Sequence, residues 1–427
     1  MNTRALQRPS SAPISPRSPA SGERLSRPPL EPVPLEPVQL EQRPALTATP
    51  GEGSLSAPAR TLEQKPAGRV HHLDFLRASM MILGVFVHAS HADYDLGDYQ
   101  AIRFFSGSFR MACFFLISGY FSAAMLARYS DGQYLRRRLL SLGVPALFAV
   151  LVLNPPALTA MQHYFASSPV PSAPIVNWHL HVWFLFVLML YSLVARPLLR
   201  AWQVLSGSLV RWFGAGYAEA LGMALITAAA SVVLKALEKW GTALPWFNGY
   251  SEILCSGVED LPYFAFGLFM QRSARVFQFA HARPWLWGAL ALGLLGPRYW
   301  LELQPITTTP QHLMHLALDY TTAFACSFAL LSAAERWVRS AQRWVTLTAA
   351  SAYTIYIVHY LVISLTLLYT QRWGLGQPVR AAAAALLALA VGYGVHFGLV
   401  ERLPIVALLL NGRLAKPARP AAQRAVA

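Results

Sequence analysis

From residue 73 to residue 402 the chain alternates between apolar segments and short polar loops, and this alternation most constrains its fold. Ten apolar segments can be marked, at 73–91, 108–127, 139–160, 181–201, 218–237, 258–272, 283–301, 313–334, 346–369 and 381–402. A helix of about 20 apolar residues crosses the hydrocarbon of a bilayer and satisfies its own backbone polar groups on the way. Segment 258–272 is short for that task and must tilt, re-enter or borrow flanking residues. Composition agrees, with 55% hydrophobic and 13% charged residues, about half the charged fraction of a soluble domain. The expected fold is an all-α polytopic membrane protein of about ten transmembrane helices.

The formal charge of +15 does not point to nucleic acid. The basic residues form small clusters between the apolar segments, not a stripe interleaved with aromatics, so a lipid bilayer is the expected partner. Alternate loops are rich in arginine: Arg128 with Arg136 to Arg138, then Arg196, Arg200 and Arg211, then Arg272, Arg275 and Arg283, then Arg336, Arg339 and Arg343. The intervening loops carry fewer basic residues, such as Arg103 among Asp93, Asp95 and Asp98. Positive charge marks the cytoplasmic side, which places both termini there.

Three regions are expected. Residues 1–68 hold 13 of the 30 prolines, in runs such as EPVPLEPVQLEQRP, and show no apolar period and no secretory core. They read as a disordered, partly polyproline tail. Residues 69–415 form the membrane domain, and 416–427 a basic cytoplasmic tail. Cys113, Cys255 and Cys326 are scattered and read as buried small hydrophobes. No GxSxG, HExxH or P-loop pattern occurs, and no ligand cluster suggests a metal.

The first segment, LDFLRASMMILGVFVHAS, puts Arg77 and His88 on one face of a helix, eleven positions and about 16 Å apart. Ionisable side chains inside a membrane helix are costly and usually face a functional cavity. In this orientation Arg77 lies near the cytoplasmic entrance and His88 towards the outer side. Asp74, one turn before Arg77, is expected to cap the helix, with orientation of Arg77 as the alternative. Glu401 and Arg402 read as an interfacial pair.

Four blocks resemble those of the membrane acyltransferase family 3. They are LDFLRASMMILGVFVHAS, with the arginine-ten residues-histidine hallmark; SFRMACFFLISGYFSA from Ser108; LHVWFLFVLMLYSL from Leu180; and SAYTIYIVHYLVI from Ser351. They occur in the family's order over about residues 70–415. The resemblance implies a multi-pass protein of the bacterial cell inner membrane that transfers an acyl group from cytoplasmic acyl-CoA. No permanently bound cofactor is expected. The resemblance leans to a subgroup associated with succinylating osmoregulated periplasmic glucans, which implies succinyl-CoA as co-substrate and a glucan acceptor. An acetyl donor or another extracytoplasmic polysaccharide is the nearest alternative. A transporter or flippase is the rival from another class, although no internal repeat accompanies the histidines. A non-catalytic scaffold would leave the Arg77 and His88 pair unexplained.

Acyl transfer to a sugar hydroxyl needs a base, and imidazole suits it. His88 is the expected base, with Arg77 a contact for the acyl-CoA phosphates or the thioester carbonyl. Arg110 is matched to a succinyl carboxylate or an anionic glucan. His181 and Trp183 could hydrogen-bond and stack on a sugar. Tyr356 and His359 share a helix face and suggest an inner cavity. Arg138 is the candidate CoA contact before Pro145, but Ser141 stands where the family often has a second arginine. His163, His179, His312 and His315 are left without a role.

Overall fold

The computed structural model describes residues 70–90, 97–166, 178–213, 251–305, 308–338 and 342–414, with a few helical positions between 222 and 233. The Pro-rich region 1–68, the tail 416–427 and most of segment 218–237 lie outside the described residues. Among the described residues every regular element is helical. We label them α1 (His71–Ser90), α2 (Gly97–Gly107), α3 (Arg110–Arg128), α4 (Asp131–Ala166), α5 (Trp183–Phe213), α6 (Ser251–Arg272), α7 (Ala274–His281), α8 (Pro284–Glu302), α9 (Thr309–Trp337), α10 (Arg343–Thr370), α11 (Gln377–Val395) and α12 (Pro404–Asn411).

Seven stretches among the described residues are long and apolar enough to cross a membrane, and they coincide with seven of the ten apolar segments. The short segment 258–272 does borrow flanking residues, because α6 begins at Ser251 and runs for 22 residues. It carries Glu252, Glu259 and Asp260, and α8 is rich in Trp, Gly and Pro.

Helix α1 packs against α3, α9, α10 and α11, which makes its sequence the centre of the bundle. The α3–α6 crossing depends on two glycines. A Cβ on Gly119 would lie 2.0 Å from the Phe264 carbonyl oxygen, and one on Gly267 would lie 1.8 Å from that of Leu116. Only hydrogen fits there, as in membrane helix pairs whose backbones touch.

Helix α4 contains two π-helical stretches, Leu139–Gly143 and Ala149–Leu153. Pro145 offers no N–H to the carbonyl four residues back, at Ser141, and crowds it. The Tyr353 hydroxyl of α10 donates to that Ser141 oxygen at 2.9 Å, so the freed acceptor is used to join two helices. At the same end Gly412, with φ of 60°, closes α12 against α4, where a Cβ would lie 2.2 Å from the Leu140 oxygen. This close approach brings Asn411 and Arg413 to the end of the bundle that holds Arg77.

Candidate active site

The Arg77 end of the bundle is hollow and cationic. A cavity of about 840 Å³ is lined by Asp74, Arg77, Arg128, Arg137 and Arg413, with Tyr120 and Tyr129 among its aromatics. A second cavity of about 260 Å³ shares Arg77, Ser141 and Arg413 with it and adds Arg138, Tyr353 and Asn411. Asp74 lies 3.5 Å from the Arg77 guanidinium, so the structure favours orientation of Arg77 over helix capping. Arg77 also sits over the Phe121 ring, 5.2 Å from its centre, a cation–π contact that holds the charge at the cavity wall. Arg138 donates to the Ser122 hydroxyl of α3. Ser141 lines both cavities in place of an arginine, and Arg413 brings a cation to the same walls from another part of the chain.

Further along α1, Met81, Phe114 and Phe184 separate the second cavity from a third and line both. The third holds His88, Arg110, Tyr356 and His359, which α1, α3 and α10 carry together. Its volume is about 20 Å³, room for a group the size of one water. A reacting carbonyl and hydroxyl fit only if those bulky side chains shift.

The geometry assigns a tautomer. His359 Nδ1 lies 2.6 Å from the Tyr356 carbonyl oxygen, which can only accept, so Nδ1 carries the hydrogen. The neutral ring then has its lone pair on Nε2, which is fully buried and has no hydrogen-bond partner among the described residues. The His88 ring lies 5.3 Å from that of His359 and 6.2 Å from that of His181, centre to centre. His181 stacks flat on Tyr360 at 5.1 Å and lies 4.7 Å from His359. The three imidazoles therefore form one group, with His181 and His359 buried and His88 partly buried.

His181 enters through a tight turn, Leu180–Val182, in which Leu180 adopts a left-handed φ of 44°. Such strain in a non-glycine residue persists only where surrounding contacts impose it. Those contacts are present: the Tyr356 hydroxyl donates to the His181 carbonyl at 2.5 Å, and Asn154 Nδ2 donates to the Trp178 carbonyl at 3.0 Å. His179 donates from Nδ1 to the Leu180 carbonyl at 3.2 Å and helps shape the turn.

Arg110 Nε donates to Ser106 at 3.0 Å, and its guanidinium occupies space left by Gly84, one turn before His88. A Cβ at Gly84 would sit 2.9 Å from Arg110 Nη1. Trp183 does not line the His88 cavity; it lines a fourth one of about 240 Å³, which shares Met111 with the third. The predicted residues therefore divide into Arg77 with Arg138, His88 with Arg110, His181, Tyr356 and His359, and Trp183 by itself. Gly84, Arg413 and Asn411 carry no sequence signal, since only the folded chain brings them to these walls.

Apart from Asn411 and Arg413, the arrangement lies within residues 70–397, a stretch that matches the acyltransferase 3 family, described as an acyltransferase domain, and covers well over half of the chain. Glucans biosynthesis protein C from Salmonella paratyphi B, Salmonella heidelberg and Salmonella enteritidis is in each case 32% identical over 149 residues, 30% of this chain. The match spans 39% of the length of those relatives. No solved structure matches. With its arginine-to-histidine helix at the centre of the bundle and the family match running through the helices that surround it, the chain belongs to the acyltransferase 3 family and is an acyltransferase.

Proposed function

We propose that the protein transfers an acyl group, succinyl in preference, from cytoplasmic acyl-CoA to a hydroxyl of an osmoregulated periplasmic glucan. The positive-inside distribution of arginines supports a cytoplasmic Arg77 end, and the family resemblance with the Salmonella relatives supports a bacterial inner membrane. The observation that carries the reading is the sequence of cavities. Two with arginines in their walls lead from that end, and a third, bounded by shared side chains, contains His88.

In this reading the CoA phosphates sit among Arg77, Arg137, Arg138 and Arg413, where guanidinium forks match phosphate oxygens. The acyl arm passes Met81, Phe114 and Phe184 into the His88 cavity. His88 removes the proton as the acceptor oxygen attacks the thioester carbonyl, the C–O bond forms, and the C–S bond breaks to release CoA. Arg110 faces the carboxylate of a succinyl chain. The glucan and succinyl assignments draw on the name of the Salmonella relatives and on the subgroup resemblance.

The test compares periplasmic glucans from a strain lacking the gene with those from the strain carrying it. An added acidic mass of succinyl size that elutes later on anion exchange supports the reading. A neutral added mass replaces succinyl by another acyl group. Identical glucans overturn the acceptor assignment.

A further inference from the structure

We propose that the fourth cavity, between α3, α6, α8 and α9, is the docking site for the acceptor and takes a neutral, hydroxyl-rich sugar unit. This rests on the acyltransferase reading above and adds a place and a charge preference for the second substrate. The cavity measures about 240 Å³, and its walls include Glu259, Asp260, Arg298, Asp319, Trp183 and Tyr263. Met111, next to Arg110 in sequence, lines both this cavity and that of His88, so the two cavities adjoin across one side chain.

The lining has sugar-binding chemistry. Carboxylates accept from hydroxyls, a guanidinium donates to them, and aromatic faces cover the apolar C–H surface of a pyranose. The polar groups are held in place before any ligand arrives. Arg298 donates to Asp319 at 2.5 Å and to Ser108 at 2.9 Å, and lies over the Phe104 ring at 4.5 Å. Asp319 in turn lies 3.0 Å from His315 Nδ1, which gives that histidine a structural role. Tyr320 donates to the Glu259 main-chain carbonyl at 3.3 Å, and Asp260 is buried.

Charge reverses along the path. Arginines dominate the cavity walls at the Arg77 end, whereas three carboxylates face one arginine here. An anionic donor is therefore favoured at one end and opposed at the other. The same carboxylates oppose a sugar that already bears a succinyl group, so the site prefers unmodified acceptor and releases the charged product.

The experiment uses the full chain in lipid nanodiscs, succinyl-CoA as donor and a neutral linear glucose oligosaccharide as acceptor, with wild type, Asp260→Asn and Glu259→Gln. The expected result is an acceptor KM raised about tenfold in the variants, with the donor KM within about twofold. The preference for unmodified over succinylated oligosaccharide should also narrow in Asp260→Asn. If both variants stay monodisperse and keep the wild-type acceptor KM while wild type transfers normally, the docking assignment falls and the acyltransferase reading stands. If calcium or magnesium stabilises wild type but not Asp260→Asn and the acceptor KM is unchanged, the cavity is a cation site and the proposal is overturned. If wild type consumes succinyl-CoA but acylates no carbohydrate, the acceptor reading falls and this proposal falls with it.

Discussion

His88 and His359 face each other across 5.3 Å, centre to centre, in the cavity that also receives the Arg110 guanidinium. The Tyr356 carbonyl fixes the His359 tautomer and leaves its buried Nε2 bare, and passage of a proton from His88 to His359 is an expectation that a variant tests. His359→Gln should lower kcat by about 10²-fold, within the range for loss of a proton-transfer partner, and leave the acyl-CoA KM unchanged. Steady-state transfer kinetics on the purified variant check this, and an unchanged kcat would confine His359 to packing.

Gly84 tests the role of Arg110. The clash that Gly84→Ala introduces falls on the far end of a flexible side chain, so the fold should tolerate it while the guanidinium leaves the cavity. Transfer from succinyl-CoA should fall relative to acetyl-CoA by about tenfold, because only the succinyl chain presents a carboxylate to an arginine fork. Competition between the two donors on one preparation reads that ratio directly.

Gly267 tests the packing of α3 on α6. Its Cβ would meet the Leu116 backbone at 1.8 Å, and backbone cannot give way as a side chain can. Gly267→Ala should cost about 1–3 kcal/mol or more and lower the melting temperature. Gly293→Ala in α8 is the control, with nothing within 4 Å of its Cβ; it should be neutral or slightly stabilising. Thermal unfolding in one detergent compares the two.

His281 gives a pH dependence. It stacks on Phe277 at 3.9 Å and lies 5.4 Å from the His72 ring, and burial pushes its imidazole down from 6.5 to about 4. The unfolded chain therefore binds the extra proton first, so the contribution of this group is complete above pH 6.5 and is lost as pH falls towards 4. The melting temperature of wild type should drop more steeply across that window than that of His281→Gln, in matched scans from pH 7 to pH 4.

The sequence discloses the helices and the parts of the site that are local in the chain. Arg77 and His88 lie on one segment, and the spacing of Tyr356 and His359 alone places them on one helix face. Contacts between distant segments are not legible in this way. Tyr356 reaches the His181 carbonyl across 175 positions, and Tyr353 reaches Ser141 across 212. Trp183 adjoins His181 almost directly in sequence, yet Trp183 lines the fourth cavity while His181 packs beside the His88 ring. Gly84 looks like an ordinary small residue in an apolar run until Arg110 is seen in the space it leaves. His315 resembles a loop-edge histidine until Asp319 and Glu302 are found beside it, at 3.0 and 3.5 Å.

The most direct test of the central claim is single-turnover transfer of labelled succinyl from succinyl-CoA to a glucose oligosaccharide, with wild type and His88→Ala in nanodiscs. If His88 is the catalytic base, wild type gives labelled oligosaccharide and His88→Ala transfers about 10²- to 10⁴-fold more slowly with unchanged succinyl-CoA binding. Transfer by His88→Ala at the wild-type rate would contradict that role.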